Sequence, residues 1–189
     1  KGLHFLEQIY QAIIKKIVLV VTYKSFKSQE ANQFTFYPFL LKEFNNRWFM
    51  VGKRKESHPI SNLALDRIER LDFNFQLPFI STDFDADAFY KNVIGVTVNT
   101  GVQPRAIRLW IDATNAPYVL TKPLHSSQRY LQTNEDGSII INLFLIENYE
   151  MERLFLGFGN GLEVLKPERL RKRMKYLLKE GFMRYENEE

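Results

Sequence analysis

Cysteine is absent from this chain of 189 residues, so neither a disulfide nor a thiolate zinc site can form. Its three histidines, His4, His58 and His125, are far apart in sequence, which argues against a histidine-rich metal site. Long hydrophobic runs are missing too, because the longest apolar segment, which begins at Ile17, suits one buried strand rather than a bilayer span. We therefore expect a cytoplasmic protein without metal, cofactor or membrane segment.

What is present is typical of a globular protein, with 45% hydrophobic and 25% charged residues. The 16 phenylalanines and 9 tyrosines exceed the need of a minimal core, so we expect some aromatic rings on a binding surface. Residues 1–80 hold 12 Lys and Arg against 7 Asp and Glu, a net charge of +5, whereas residues 81–189 hold 14 against 15. A basic first half favours a polyanionic partner; a solvated basic surface is the alternative.

The first half has the pattern of a small β-structure behind a short helix. Residues 1–16 carry apolar positions at helical spacing, and residues 17–77 contain about five short strands joined by tight turns. Asn45 and Asn46 favour one such turn because asparagine tolerates positive φ, and Pro38 marks an edge or bulge position. These features predict a small twisted antiparallel barrel.

The second half predicts a different architecture, so the fold class is α+β with two modules. Residues 78–104 are a linker with a short helix over 85–93, and residues 105–189 follow the order β-α-β-β-α-β-α, which is typical of a ferredoxin-like module. Asn148 is placed to cap one helix, and Gly181 is expected to follow the last turn of the final helix.

The segment RWFMVG, between YPFLL and LALDRIERL, resembles the signature strand of the WYL domain family. Trp48, Phe49 and Met50 occupy the three signature places, and residues 65–68 match the Leu-Asp-Arg-Ile segment of the family. The stretches PLHSSQ, NYEMERLFLGFG and EVLKPERLRKR are similar to the WCX extension that often follows a WYL domain. The resemblance covers nearly the whole chain.

This resemblance implies an Sm-like or SH3-like barrel followed by the WCX module, in a dimeric bacterial transcription regulator. WYL domains commonly follow a winged helix-turn-helix and sense ligands, and several bind single-stranded nucleic acid through a basic patch. Because the chain begins at Lys1 in helical register, we expect the DNA-reading domain to be missing from this segment. Two places depart from the family pattern: Phe49 replaces the signature tyrosine, and Ser61 replaces a frequent arginine.

Alternation along the signature strand separates a core face from a candidate ligand face. Burial of Trp48 and Met50 would leave Phe49 near the surface beside Lys53 and Arg54, where a base could stack and phosphates would meet positive charge. The alternatives are that Phe49 belongs to the core and that the cations form a solvated turn.

Arg67 is the strongest candidate for an anion contact, because it matches the family arginine and its planar fork suits phosphate. The alternative is an ion pair with Asp66, Glu69 or another local acid. Tyr23, Tyr37 and Ser61 complete the predicted ligand-binding set, with a core position as the alternative for both tyrosines.

No catalytic pattern accompanies these residues. His125 lies beside two serines, but adjacent residues seldom form a triad, and no Gly-x-Ser-x-Gly elbow is present. The sequence thus predicts the effector-sensing and dimerisation region of a regulator, with a nucleic-acid-like anionic effector and promoter DNA as partners. The alternative is a structural dimerisation module without a ligand.

Overall fold

The computed structural model describes residues 1–80 and 83–186 and divides into two compact units, Lys1–Phe89 and Tyr90–Glu189. Each unit has its own antiparallel sheet and its own hydrophobic core. This arrangement confirms the α+β class that the sequence predicts. Within the described ranges, no helix has both the length and the apolar character needed to span a bilayer.

The first unit consists of one helix and a five-stranded sheet. Its elements are α1 (Leu6–Ile14), β1 (Val18–Tyr23), β2 (Asn32–Phe44), β3 (Arg47–Lys53), β4 (Ser61–Ala64) and β5 (Ile68–Asn74), followed at the boundary by α2 (Ala86–Tyr90). The helix predicted over 85–93 is therefore shorter than expected. All strand pairs are antiparallel, and the strand order is β4-β3-β2-β1-β5.

The long strand β2 bends the sheet because its register shifts between Pro38 and Leu40. Its first half pairs with β1 and its second half with β3. Proline lacks the N–H that a regular ladder needs, so a bulge is a natural position for it. At the hairpin that follows, Asn45 and Asn46 have φ values of 50° and 60°, as predicted for this turn.

The barrel expected from the sequence is not closed. β4 and β5 are the two edges of the sheet, and among the described residues they do not pair with each other. A 3-10 turn at Leu65–Arg67 joins them and directs β5 to pair with β1 instead. The prediction is therefore corrected to an open, bent sheet whose seam carries this turn.

The core of the first unit lies between α1 and the sheet. Ile9 and Ala12 of α1 are fully buried, together with Phe36 of β2 and Met50 of β3. Trp48 packs against this cluster while remaining partly exposed. The methionine and part of the indole are therefore directed inward, but the predicted separation of two faces on β3 is incomplete, because Val51 on the opposite face is also fully buried.

The second unit has the β-α-β-β-α-β order of a ferredoxin-like fold. Its elements are β6 (Arg105–Ile111), α3 (Ala116–Thr121), β7 (Arg129–Thr133), β8 (Ile139–Leu145), α4 (Tyr149–Leu156), β9 (Leu162–Lys166) and α5 (Glu168–Glu186). The strand order is β7-β8-β6-β9, and every pair is antiparallel. Alternate residues of β6 and β8 are buried beneath the helices in one core.

Two sequence signals for helix ends have different outcomes. Asn148 caps α4 as predicted, since its Oδ1 accepts a hydrogen bond of 2.8 Å from the backbone N–H of Met151. The expected end of the last helix at Gly181 is wrong, because α5 continues to Glu186. A single glycine costs only about 1 kcal/mol in a helix interior, and the good helix formers around it offset that cost.

Candidate ligand-binding grooves of the first unit

Arg67 lies at the open seam of the first sheet. Leu65, two residues before Arg67, is 1% exposed and anchors the 3-10 turn in the core. The carbonyl oxygen of Arg67 accepts a hydrogen bond of 3.0 Å from the backbone N–H of Lys24, which ties the turn to the end of β1. The local sequence thus fixes the backbone and leaves the Arg67 side chain at the surface of the seam.

The guanidinium group of Arg67 is placed against an aromatic ring but lacks a full set of hydrogen bonds. Its Cζ lies 3.9 Å from the centroid of the Phe26 ring, and that phenylalanine is 77% exposed. The Nε atom of Arg67 is buried and has no hydrogen-bond partner in the described part of the chain. An unpaired buried donor is costly, so an acceptor that reaches this group would be strongly favoured.

The acidic neighbour of Arg67 is engaged elsewhere. Asp66 Oδ2 lies 3.3 Å from a guanidinium nitrogen of Arg47, whereas Asp66 Oδ1 is buried without a partner. Among the described residues, Arg67 has no carboxylate within salt-bridge distance, so the ion pair with Asp66 or Glu69 considered from the sequence does not form. The charge of Arg67 is therefore available to a ligand.

A groove of about 640 Å³ opens at this place, and we call it the Arg67 groove. Its lining residues are Lys1, His4, Lys24, Ser25, Phe26, Ser28, Asp66, Arg67, Ile68 and Glu69. Three of these are Lys or Arg and two are acidic, and the Asp66 carboxylate is already paired with Arg47. The groove combines positive charge, hydroxyl groups and one exposed ring, which suits a phosphate-bearing aromatic ligand.

A second groove of about 360 Å³, the Arg54 groove, brings three predicted residues together. Its lining residues are Tyr23, Arg54, His58, Pro59, Ser61, Asn62 and Leu63. The Arg54 Cζ lies 3.7 Å from the centroid of the Phe34 ring, a second cation–aromatic pair. Tyr23 is 8% exposed, so most of its ring belongs to the core.

The other predicted residues lie outside both grooves. Phe49 is half-buried on β3, opposite Lys42 and Ala64, and is not among the residues that line either groove. The ring of Tyr37 packs on Phe79 at a centroid distance of 5.7 Å. Lys53 donates a hydrogen bond of 3.4 Å to the carbonyl oxygen of Glu56. Phe49 and Arg67 therefore do not converge on one groove.

The sequence interpretation did not single out Phe26 and Lys24. Both belong to the segment KSFKS, whose polar composition predicts a loop and no site. A phenylalanine between lysines in an otherwise polar loop has no core to enter, and this was the available signal. Its role depends on the approach of β1 to the 3-10 turn, which sequence spacing alone does not show.

His125 in the second unit makes local contacts. Its Nδ1 accepts a hydrogen bond of 3.1 Å from the backbone N–H of Ser127 and lies 2.9 Å from the Ser127 hydroxyl. Burial lowers the pKa of His125 below its ordinary value. These contacts order the turn before β7, which agrees with a structural position.

Comparison with protein families finds one domain model within each of the two units. Residues 4–73 match the WYL domain, and residues 103–181 match the WCX domain. Both matches occur in the order expected from the sequence motifs, and together they cover most of the chain. No curated protein matches the chain.

The solved structures that resemble the chain at low identity include the following two. Proteasome accessory factor B/C (PafBC) of Arthrobacter aurescens is 17% identical with a TM-score of 0.38, and the match covers 97% of this chain and 27% of that one. A CRISPR Cas-related protein is 12% identical with a TM-score of 0.57, covering 99% of this chain and 53% of that one. The chain thus spans about a quarter and about half of these two structures, and the second likeness concerns the fold alone.

Proposed function

Because residues 4–73 match the WYL domain and residues 103–181 match the WCX domain, we propose that the chain forms the effector-sensing region of a bacterial transcription regulator. In this proposal the region is cytoplasmic and non-enzymatic, and promoter DNA is bound by a winged helix-turn-helix domain of the kind that commonly precedes WYL domains. Effector binding shifts a conformational equilibrium, which requires tighter binding to one conformation than to the other.

The effector in this proposal is a nucleic-acid-like anion, either single-stranded DNA or RNA or a nucleotide. The observation that carries the proposal is the unpaired Nε of Arg67, buried in a groove that also holds Lys24 and the exposed ring of Phe26. A phosphate oxygen would complete the hydrogen bonds of the guanidinium. A base would stack on the accessible face of the phenylalanine.

The Arg54 groove extends the same chemistry along the first unit. Arg54 supplies a second cation beside an aromatic ring, and Ser61 supplies a hydroxyl group. Lys53 lies outside this groove, but it precedes Arg54 in sequence and adds positive charge to the same region. Phe49 and Tyr37 line neither groove and are not required by this proposal.

Fluorescence anisotropy with labelled single-stranded oligonucleotides and with a labelled nucleotide, measured over a range of salt concentrations, tests the Arg67 groove. Arg67→Ala is expected to weaken binding and to reduce the slope of log K against log salt by about 0.7, the value for one phosphate contact on a single strand. Arg67→Lys keeps the charge without the planar fork and should retain part of the affinity.

The matched control is Arg70→Ala, because Arg70 is an exposed arginine on the adjacent strand that already pairs with Asp72 at 2.7 Å. This change should leave both affinity and salt dependence as in the parent chain. Equal effects of the two alanine variants, or binding that is insensitive to salt, would contradict the assignment of the effector to this groove.

A second candidate function is dimerisation without a ligand, and one observation favours it. The last part of α5 exposes apolar side chains at Leu178, Phe182 and Tyr185, which are 44%, 61% and 82% exposed. Their spacing places them on one face of the helix. A second copy of the chain would cover such a stripe.

A further inference from the structure

The ferredoxin-like sheet of the second unit has one face covered by helices and one face open. Residues 107, 109 and 111 of β6 and residues 139, 141, 143 and 145 of β8 are buried in the core beneath α3, α4 and α5. The alternate positions of both strands are half-buried or exposed. β6 and β8 are the two central strands of the sheet, so the open face presents their outward side chains.

Strand register places three cations in one row across this open face. Arg129 of β7 pairs with Asn142 of β8, which pairs with Arg108 of β6, which pairs with Lys166 of β9. Paired residues of neighbouring strands point to the same face, and Lys166 comes opposite Arg108 through a register shift between Arg108 and Leu109. Strands lie about 4.8 Å apart, so the row is about 14 Å wide. Arg129, Arg108 and Lys166 are all exposed.

These three cations have no acidic partner in the described part of the chain, which gives the row an uncompensated charge. An acid on the same face is Glu163, which pairs with Trp110 across β9 and β6. Its carboxylate already forms an ion pair with Arg171. The open face is therefore positive although the second half of the sequence has a net charge of −1 by count.

Aromatic side chains flank the cationic row on both sides. Trp110 lies two residues beyond Arg108 on β6, and Phe144 lies two residues beyond Asn142 in the other direction, where it is 45% exposed. At about 3.4 Å per residue, the two rings are separated by about 14 Å along the strands. Each ring is thus about 7 Å from the row of positive charge.

The indole of Trp110 is held in a fixed orientation. Its Nε1 donates a hydrogen bond of 2.9 Å to the hydroxyl of Ser138, which is 1% exposed. That hydroxyl in turn donates to Asp136 at 2.6 Å and accepts from Asn134 at 2.8 Å. Trp110 is half-buried, and because the polar edge of its ring is already satisfied, stacking on the exposed part of the indole costs no hydrogen bond.

From this arrangement we propose that the open face of the second sheet is a binding surface for single-stranded nucleic acid, separate from the grooves of the first unit. Bases stack on Trp110 and Phe144, and the intervening phosphates contact Arg108, Arg129 and Lys166. A four-stranded sheet with exposed aromatics stacks two or three bases in RNA-recognition motifs, and positive grooves with stacking rings bind single strands generally. Charge complementarity selects this occupant over a protein, since the face holds three unpaired cations.

Tryptophan fluorescence gives a direct test, because the chain has only two tryptophans, Trp48 and Trp110. In Trp48→Phe, unlabelled oligo-U and oligo-dT of about eight nucleotides should quench the fluorescence of the remaining Trp110 on stacking. Stronger quenching by oligo-U than by oligo-dT identifies RNA as the ligand, and the reverse identifies DNA. An unchanged Trp110 signal with both probes up to saturating concentration overturns the proposal.

Surface variants of the whole chain provide a second readout by anisotropy. Phe144→Ala should weaken oligonucleotide binding about tenfold. Arg108→Ala with Arg129→Ala should reduce the log–log salt slope by about 1.4, the value for two phosphate contacts. The matched controls are Tyr118→Ala and Lys122→Ala, which change an exposed aromatic and an exposed cation at α3, on the covered side of the sheet.

The two binding surfaces are distinguished by combining the readouts. Arg67→Ala introduced into Trp48→Phe should leave Trp110 quenching intact if the sheet binds independently. Loss of all oligonucleotide binding in Arg67→Ala, with a silent Trp110, overturns this inference and supports the first-unit site alone. If oligonucleotides still quench Trp110 fluorescence but Arg67→Ala and Arg70→Ala have equal effects on binding, the results support the sheet as the only one of the two binding surfaces.

Discussion

His125 couples the stability of the second unit to pH at the scale of a single residue. Burial lowers the pKa of this imidazole, and its Nδ1 is held as an acceptor by the Ser127 N–H. As the pH falls, the unfolded chain therefore takes up a proton before the folded chain does. The stability associated with the neutral ring is complete above the ordinary pKa of about 6.5 and decreases below it.

We expect His125→Asn to remove this pH dependence, because the asparagine oxygen can accept the same hydrogen bond but does not titrate. Urea unfolding at neutral pH and near pH 5 measures the effect: the parent should lose more stability on acidification than the variant. His58→Asn, which changes an exposed histidine in the first unit, is the control and should retain the component due to His125. Identical pH profiles of the parent and His125→Asn would show that the imidazole stays neutral, or titrates alike, in both states.

Residue-level prediction succeeds where local sequence dictates the environment. Arg67 can be predicted from the sequence because it stands in a recognisable motif, and the motif's apolar members, such as Leu65, are buried whatever the details of the fold. Phe26 cannot, because nothing in its own segment indicates contact with an arginine 41 positions away. The placement of Phe49 outside the grooves has the same cause, since the twist of the sheet decides which outward residues share a surface.

At the scale of an element, α5 allows a test of how much the low helix propensity of one glycine reduces the stability of a helix. Gly181 lies inside the helix, and an added methyl group would meet no atom within 4 Å. Gly181→Ala should therefore stabilise this end of the helix by about 1 kcal/mol, because alanine lacks the backbone entropy of glycine. Amide hydrogen exchange near position 181 should slow about fivefold, if the amides exchange by local fraying.

Gly52 on β3 is the matched contrast to Gly181. A methyl group there would overlap the carbonyl oxygen of Tyr37 on the paired strand. Gly52→Ala should therefore destabilise the first unit, and urea unfolding would show it as a lower midpoint. A stabilising effect of the same substitution would mean that the bulge of β2 can move away from β3.

The local sequence determines most turns and helix caps, but it does not determine the end of α5 or the open seam of the first sheet. The Asn45-Asn46 turn and the Asn148 cap form because each asparagine satisfies its own neighbours, through positive φ in one case and a side-chain acceptor in the other. The end of α5 depends on the balance between one glycine and its neighbours. The open seam depends on where β5 finds a partner, and that pairing joins residues about 50 positions apart.

At the scale of the whole molecule, the exposed stripe on α5 predicts self-association. The stripe continues the buried position Met174 along the same helix face, so α5 leaves the core with its apolar side uncovered. Leu178→Glu with Phe182→Glu should shift a concentration-dependent dimer to monomer in sedimentation velocity. Tyr176→Glu changes an exposed aromatic on another side of the helix and serves as the control.

A parent chain that stays monomeric at every concentration would contradict this prediction and would leave the stripe to some other partner. A monomeric parent that binds oligonucleotides would favour the sensing function over the dimerisation module. A dimer that binds neither oligonucleotide nor nucleotide would favour the dimerisation module over the sensing function.

The sequence by itself determined the α+β class, the order of the two domains, their family and the motif that contains Arg67. These features depend on periodicity, turn residues and local motifs, all of which operate within about ten residues. Only the tertiary structure decided that Phe26 covers Arg67, that the first sheet stays open, and that Arg108, Arg129 and Lys166 form one row. A charge count averages over all faces of a domain, whereas strand register sorts side chains from distant segments onto a single face.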